Sequence, residues 1–174
     1  MFTVRLQKRE CTDKSRIEAF LAQAQTGFLG LADGRFPYVV PFNFVKIEES
    51  IYFHGAGEGR KLSIMRSNNE CCFTVSEHYG TITDPVPAKT DTAYMSVMAF
   101  GALEEVTNME EATAAMQRLL DKYVPGYYGQ PLASAHVEKY RSSMGSATSV
   151  FKLVVRQLTA KENAPVPGKM YDKG

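Results

Sequence analysis

Ile51-Tyr52-Phe53-His54-Gly55-Ala56-Gly57-Glu58-Gly59-Arg60-Lys61-Leu62-Ser63-Ile64-Met65 reads as a strand, a glycine-rich loop and a short helix. Residues 51–53 are β-branched or aromatic, the types that fit a pleated, half-buried surface. Gly55, Gly57 and Gly59 let the backbone turn sharply and come close to a ligand. Arg60 and Lys61 stand where the helical run begins, and unpaired backbone N–H groups there favour an anion. A guanidinium grips phosphate through two parallel hydrogen bonds, and an ammonium adds a point charge. The stretch suits a phosphate cradle. The same residues also suit a surface turn with two solvated cations, and this stretch alone does not separate the two.

Outward from it, the chain supplies more strands than helices. Upstream, residues 27–32 read as a strand, Asp33-Gly34 as a hairpin turn and 38–45 as the returning strand. Pro41 has no N–H for a ladder, so that strand lies at an edge or bulges there. Before them, Ile17, Phe20, Leu21 and Ala24 form one apolar stripe of a helix over 13–24, which Thr12 can cap. Downstream, a helix over 61–66 stops at Ser67-Asn68-Asn69, and 70–75 is the next strand. Residues 77–93 hold Gly80, Pro85 and Pro87 with little periodicity and read as a long loop. In the strand over 94–106, Gly101 marks a bulge or a close approach. Thr107 and Glu110 have capping-box spacing ahead of a helix over 108–123, striped with Met109, Ala112, Met116 and Leu119. A short helix around 137–140 follows. Phe151, Leu153 and Val155 share one face of a last strand over 149–158. Residues 159–174 read as a tail, loose or laid on a partner. Short links between strands favour a mainly β fold, a six-stranded antiparallel barrel with peripheral helices.

The 174 residues suit a single domain over 1–174, with a core over about 12–158. A formal net charge of +1 offers no electrostatic case for nucleic acid or a membrane surface. No apolar run reaches the ~20 residues of a membrane-spanning helix. Met1-Phe2-Thr3-Val4-Arg5-Leu6 lacks the apolar block of a signal peptide, so the expected location is cytoplasmic. Cys11, Cys71 and Cys72 make a poor disulfide framework and read as small buried hydrophobes. No His, Cys, Asp and Glu set has metal-ligand spacing, so His78 and His136 read as solvated. Acyl chemistry lacks its G-x-S-x-G.

Three segments together resemble the pyridoxamine 5′-phosphate oxidase-like, FMN-binding split β-barrels. They are Pro37-Tyr38-Val39-Val40-Pro41-Phe42-Asn43-Phe44, Ile51–Lys61 as quoted above, and Arg66-Ser67-Asn68-Asn69-Glu70-Cys71-Cys72-Phe73. Tyr94-Met95-Ser96-Val97, Phe100-Gly101 and the capped helix after them extend the likeness over 12–158, with the 5-nitroimidazole-resistance branch the nearest in kind. The resemblance implies FMN as cofactor. It places Gly59, Arg60 and Lys61 at the phosphate, His54 and Gly55 along the flavin, and Val39, Val40, Pro41, Phe42 and Asn43 beside the ring. It also implies a homodimer with cofactor at the interface, so that Ser96 and Val97 face it too. Apolar residues on both faces of 37–45 and 94–106 fit that expectation. The C-terminal Trp and Arg motif that oxidises pyridoxamine phosphate is missing, and the chain has no Trp.

Two function classes follow. The first is a flavin-dependent oxidoreductase reducing a small acceptor such as a nitroaromatic or quinone, with His54 the candidate catalytic proton donor. The second is a non-catalytic binding or storage protein for haem or flavin on the same fold. The family also has deazaflavin-binding members.

Overall fold

The computed structural model describes residues 4–34, 36–141, 145 and 147–172. Residues 1–3 and 173–174, parts of the expected N-terminal stretch and C-terminal tail, lie outside the described residues. Among the described residues there are four α-helices, α1 (Lys14–Gln23), α2 (Arg60–Ser67), α3 (Met109–Tyr123) and α4 (Ser134–Lys139). The described residues also form seven strands, β1 (Gly27–Asp33), β2 (Phe36–Phe42), β3 (Val45–Ile47), β4 (Ser50–Ala56), β5 (Glu70–Ile82), β6 (Asp91–Glu105) and β7 (Thr148–Asn163). They form one antiparallel sheet in the order β2-β1-β5-β6-β7-β4-β3. The sheet curls until its two ends meet, with Phe42 of β2 stacked on Phe53 of β4 at 4.5 Å between ring centroids. This is a split β-barrel with peripheral helices.

The strand count is seven where the sequence predicts six, because one expected strand is two. Asn43 and Phe44 leave the ladder between β2 and β3, so the chain passes from one end of the sheet to the other. Phe44 is fully buried there, and its N–H donates to the Tyr123 hydroxyl at 2.8 Å. That hydroxyl donates in turn to the Gln25 carbonyl at 2.7 Å. The Lys122 ammonium donates to the Leu21 and Phe44 carbonyls, each at 3.0 Å. The end of α3 therefore fastens the break in the sheet to the end of α1. Tyr123→Phe leaves a buried N–H without its acceptor, and we expect a loss of about 1–3 kcal/mol in urea unfolding. An unchanged midpoint means that the latch contributes nothing.

Pro37 and Pro41 lie in β2, an edge strand, the position in a sheet where proline is tolerated. The hairpin turns at Gly34, φ 55°, and Asp33 pairs with Phe36. Both main helix caps sit one residue later than expected. Asp13 accepts from the Arg16 N–H, and Asn108 accepts from the Glu111 N–H. The expected long loop over 77–93 is mostly strand, since β5 runs on to Ile82 and β6 starts at Asp91. Residues 159–163 likewise belong to β7 rather than to a tail. Beyond them, Lys169 and Tyr171 hydrogen-bond to Thr83 and Thr81, stitching the tail to the end of β5.

The barrel interior joins Leu29, Phe53, Phe73, Val97 and Phe151 with Ile17, Phe20 and Leu21 of α1. A second apolar layer lies outside, where Ala112, Ala115 and Leu119 of α3 cover Val45, Tyr52 and Val150. The Tyr52 hydroxyl donates to Glu111 at 2.8 Å, and burial with that carboxylate pushes the phenol up to about 12. Cys71 is buried, which pushes its thiol up to about 12 and leaves it inert. No helix among the described residues is long and apolar enough to cross a membrane.

Candidate functional site at the barrel seam

The glycine loop and α2 sit where the two ends of the sheet meet. Gly59 is the N-cap of α2 with φ 97°, a conformation that only glycine adopts readily, and no side chain caps the helix. The positive end of α2 is therefore left to an outside acceptor. Gly57 serves differently, because its N–H donates to the Ala147 carbonyl at 3.0 Å and pins the loop to the chain before β7.

Arg60 and Lys61 diverge. Arg60 turns outward, giving Nε at 2.8 Å and Nη2 at 2.6 Å to one carboxylate oxygen of Asp33, and stacks over Tyr38 at 4.9 Å. Lys61 turns inward and is only 7% exposed. Its Nζ lies 3.4 Å from the centre of the Phe151 ring and 5.5 Å from that of Phe42. Its nearest acceptor is the Ala56 carbonyl at 3.4 Å, and among the described residues it makes no ion pair. Burial pulls this ammonium down to about 8. Gly55 faces it so closely that a Cβ there would stand 2.9 Å from Nζ. A buried cation that makes no ion pair among the described residues, beside a glycine and an uncapped helix start, fits a phosphate.

Strand alternation and the break after β2 separate the other expected site residues. Gly55, Phe42 and Lys61 meet at the seam, with Val40 packed on the core behind them. Val39, 58% exposed, points with Pro41 to the outer face of the sheet, and Ser96 lies half-buried on that face. Asn43 is exposed at the break after β2. Val97 is sealed in the barrel core at 1% exposure. His54 lies on the opposite face of β4 from Gly55, under α3 and α4. The structure does not bring its imidazole to the seam. Burial lowers its pKa, and the Lys61 charge adds to the effect.

The outer face carries a feature that the sequence reading did not single out. Pro41, Phe28, Thr74, Met98 and Thr159 are successive partners across five strands, and Val39, Gly30, Cys72, Phe100 and Gln157 form the neighbouring row. Phe28 is 45% exposed and Met98 39%. Alternation within each strand signals outward residues, but only the register shows that they line up.

Comparison with known proteins gives the same architecture. Among curated proteins none matches the chain. A flavocytochrome from Azotobacter vinelandii superposes with TM-score 0.78 at 21% identity, over 98% of this chain and 76% of the other. An FAD- and haem-binding protein from Mycobacterium smegmatis gives TM-score 0.72 at 16% identity, over 94% and 76%. A 5-nitroimidazole antibiotic resistance protein from Bacteroides thetaiotaomicron gives TM-score 0.68 at 28% identity, over 87% and 85%. The family model described as pyridoxamine 5′-phosphate oxidase matches residues 13–162, from the start of α1 nearly to the end of β7. On that match, the chain belongs to the pyridoxamine 5′-phosphate oxidase family.

Proposed function

We propose that the protein binds FMN at the barrel seam and uses it to reduce a small acceptor such as a nitroaromatic or a quinone. The observation that carries this reading is Lys61, a buried ammonium that makes no ion pair among the described residues, beside the uncapped start of α2. The phosphate of FMN carries close to two negative charges at neutral pH and supplies the missing partner. Arg60 joins it by releasing Asp33, an exposed pair that contributes at most about 1 kcal/mol. The flavin supplies the redox chemistry when bound, and the protein binds and orients it. The similarity to a nitroimidazole-resistance protein supports the acceptor class. The test is to purify the protein, record its visible spectrum and measure NAD(P)H oxidation with a nitroaromatic. A flavin spectrum with turnover is expected. Flavin without turnover overturns the catalytic part, and failure to bind added FMN overturns the whole reading.

The two outer rows of β2, β1, β5, β6 and β7 support a homodimer, with the partner covering Val39, Pro41 and Ser96 beside the cofactor. An apolar sheet face of this breadth is unusual on a monomer. Light scattering is expected to give twice the 19.3 kDa chain mass. Met98→Lys, which places a charge in the middle of the face, is expected to give monomers and to weaken FMN binding. A wild-type monomer at micromolar concentration contradicts the proposal.

A further inference from the structure

A cavity of about 630 Å³ opens on the face of β4 turned away from the seam. That volume suits a drug-sized ligand. His54, Thr148 and Val150 of the sheet form its floor, and Met116 and Leu120 of α3 form one wall. The rest comes from the 128–132 loop and α4. These walls are fastened to the body of the fold. The Leu132 N–H donates to the Gln117 side chain on α3 at 2.7 Å, and the Thr148 N–H donates to the Tyr140 carbonyl at 3.4 Å. The space is therefore present before any ligand arrives.

Its lining narrows the choice of ligand. Among the described residues, no Asp, Glu, Lys or Arg lines it. An ion entering it would shed water and meet no opposite charge, so the fitting occupant is neutral. The lining is mostly apolar. The Met116 thioether and the exposed rings of Tyr128 and Tyr140 at the rim suit an aromatic body. One polar group on the floor is left over. The His54 ring is half-buried and makes no hydrogen bond among the described residues. Burial lowers its pKa, so at neutral pH the ring is uncharged, with one nitrogen that donates and one that accepts. The Thr148 hydroxyl, diagonal to it on β7, also does both. A phenol hydroxyl, itself a donor and an acceptor, matches this pair.

We infer that this cavity binds a neutral polycyclic phenol, with its hydroxyl on His54 and its rings against α3 and the 128–132 loop. The hydroxyl fixes the ligand's direction, and the fused rings fill the apolar space with little conformational entropy to lose. A carboxylate on the same rings would be excluded, because the cavity offers it no cation. The site is separate from the phosphate cradle, since His54 and Gly55 lie on opposite faces of β4, and it stands whether or not flavin binds.

The experiment titrates the purified protein with phenanthrenol, its methyl ether and phenanthrenecarboxylate, reading the fluorescence of each probe. The wild type is expected to bind phenanthrenol with a micromolar Kd and the carboxylate at least tenfold more weakly. His54→Leu is expected to weaken phenanthrenol about fivefold, the loss of one neutral hydrogen bond, and to reduce its preference over the methyl ether. Leu132→Trp fills the cavity from its loop wall and is expected to weaken both probes at least tenfold. It decides the placement even where His54→Leu disturbs folding. Saturating FMN and Lys61→Ala are expected to leave phenanthrenol binding intact. Failure of the wild type to bind phenanthrenol, equal affinity for the carboxylate, displacement of the probe by FMN, or an affinity unchanged in either cavity variant overturns the proposal.

Discussion

Lys61→Ala is expected to weaken FMN binding roughly ten- to a hundredfold and to leave riboflavin binding unchanged. The size follows from one charge-assisted hydrogen bond, on the order of 1.5–3 kcal/mol, at about 1.4 kcal/mol per factor of ten. Selectivity follows from the phosphate, which riboflavin lacks. The pH dependence sharpens the test. Burial pulls the Lys61 ammonium down to about 8, so in the free protein it loses its proton as pH rises through that value. Phosphate binds the charged form and raises this pKa, so affinity falls as pH rises above about 8. Below about 6 the phosphate takes up its second proton and affinity falls again. FMN affinity is thus expected to peak between about 6 and 8, and Lys61→Ala to remove the alkaline limb while keeping the acid one. Fluorescence titration reads both limbs. An alkaline limb that survives in Lys61→Ala means that Lys61 is not the anchor.

The sequence exposes the parts of this site whose signals are local and hides those that depend on the sheet closing. Gly59, Arg60 and Lys61 were legible as a candidate anion site because a strand, glycines and paired cations at a helix start fall within a dozen residues. Nothing local told that Arg60 would turn to Asp33 and Lys61 to Phe151. The hairpin brings Asp33 alongside α2, and β7 pairs with β4 from almost a hundred residues away, placing Phe151 opposite Phe53. His54 was read with Gly55 because they are neighbours, yet a strand sends neighbours to opposite faces. His136 was read as solvated because it falls on a helix surface and no set of His, Cys, Asp and Glu has metal-ligand spacing. It lines a cavity only because α4 folds back over β4 and β7. The ends of β5 and β7 were missed because Glu77, His78, Gly80 and Lys161 break the apolar alternation, although their ladders continue. Tertiary pairing overrode weak local preference there.

Gly101 shows the opposite case, a residue whose meaning was legible and whose consequence is large. It was expected to mark a bulge or a close approach, and it does both. The β6–β7 register slips between Phe100 and Gly101, leaving Arg156 without a partner in the ladder. A Cβ on Gly101 would stand 1.9 Å from the Val154 carbonyl oxygen and 3.1 Å from Leu153 Cδ1. The first obstacle is backbone in a paired strand, so no rotamer change relieves it. Gly101→Ala must push β7 away from β6 in the middle of the sheet, and we expect a loss of about 3 kcal/mol or more, the upper end of overpacking costs. Gly30→Ala is the control. It lies on the same sheet, but its Cβ meets nothing nearer than the Cys72 carbonyl at 3.4 Å, so the change is expected to stay within about 1 kcal/mol. Displacement of β7 also moves Phe151, the ring beneath Lys61, so Gly101→Ala is expected to weaken FMN binding while the cradle residues themselves are intact. Urea midpoints for the two variants decide the point. Equal stabilities would show that the sheet absorbs the methyl group at Gly101 and that the close approach does not constrain the fold.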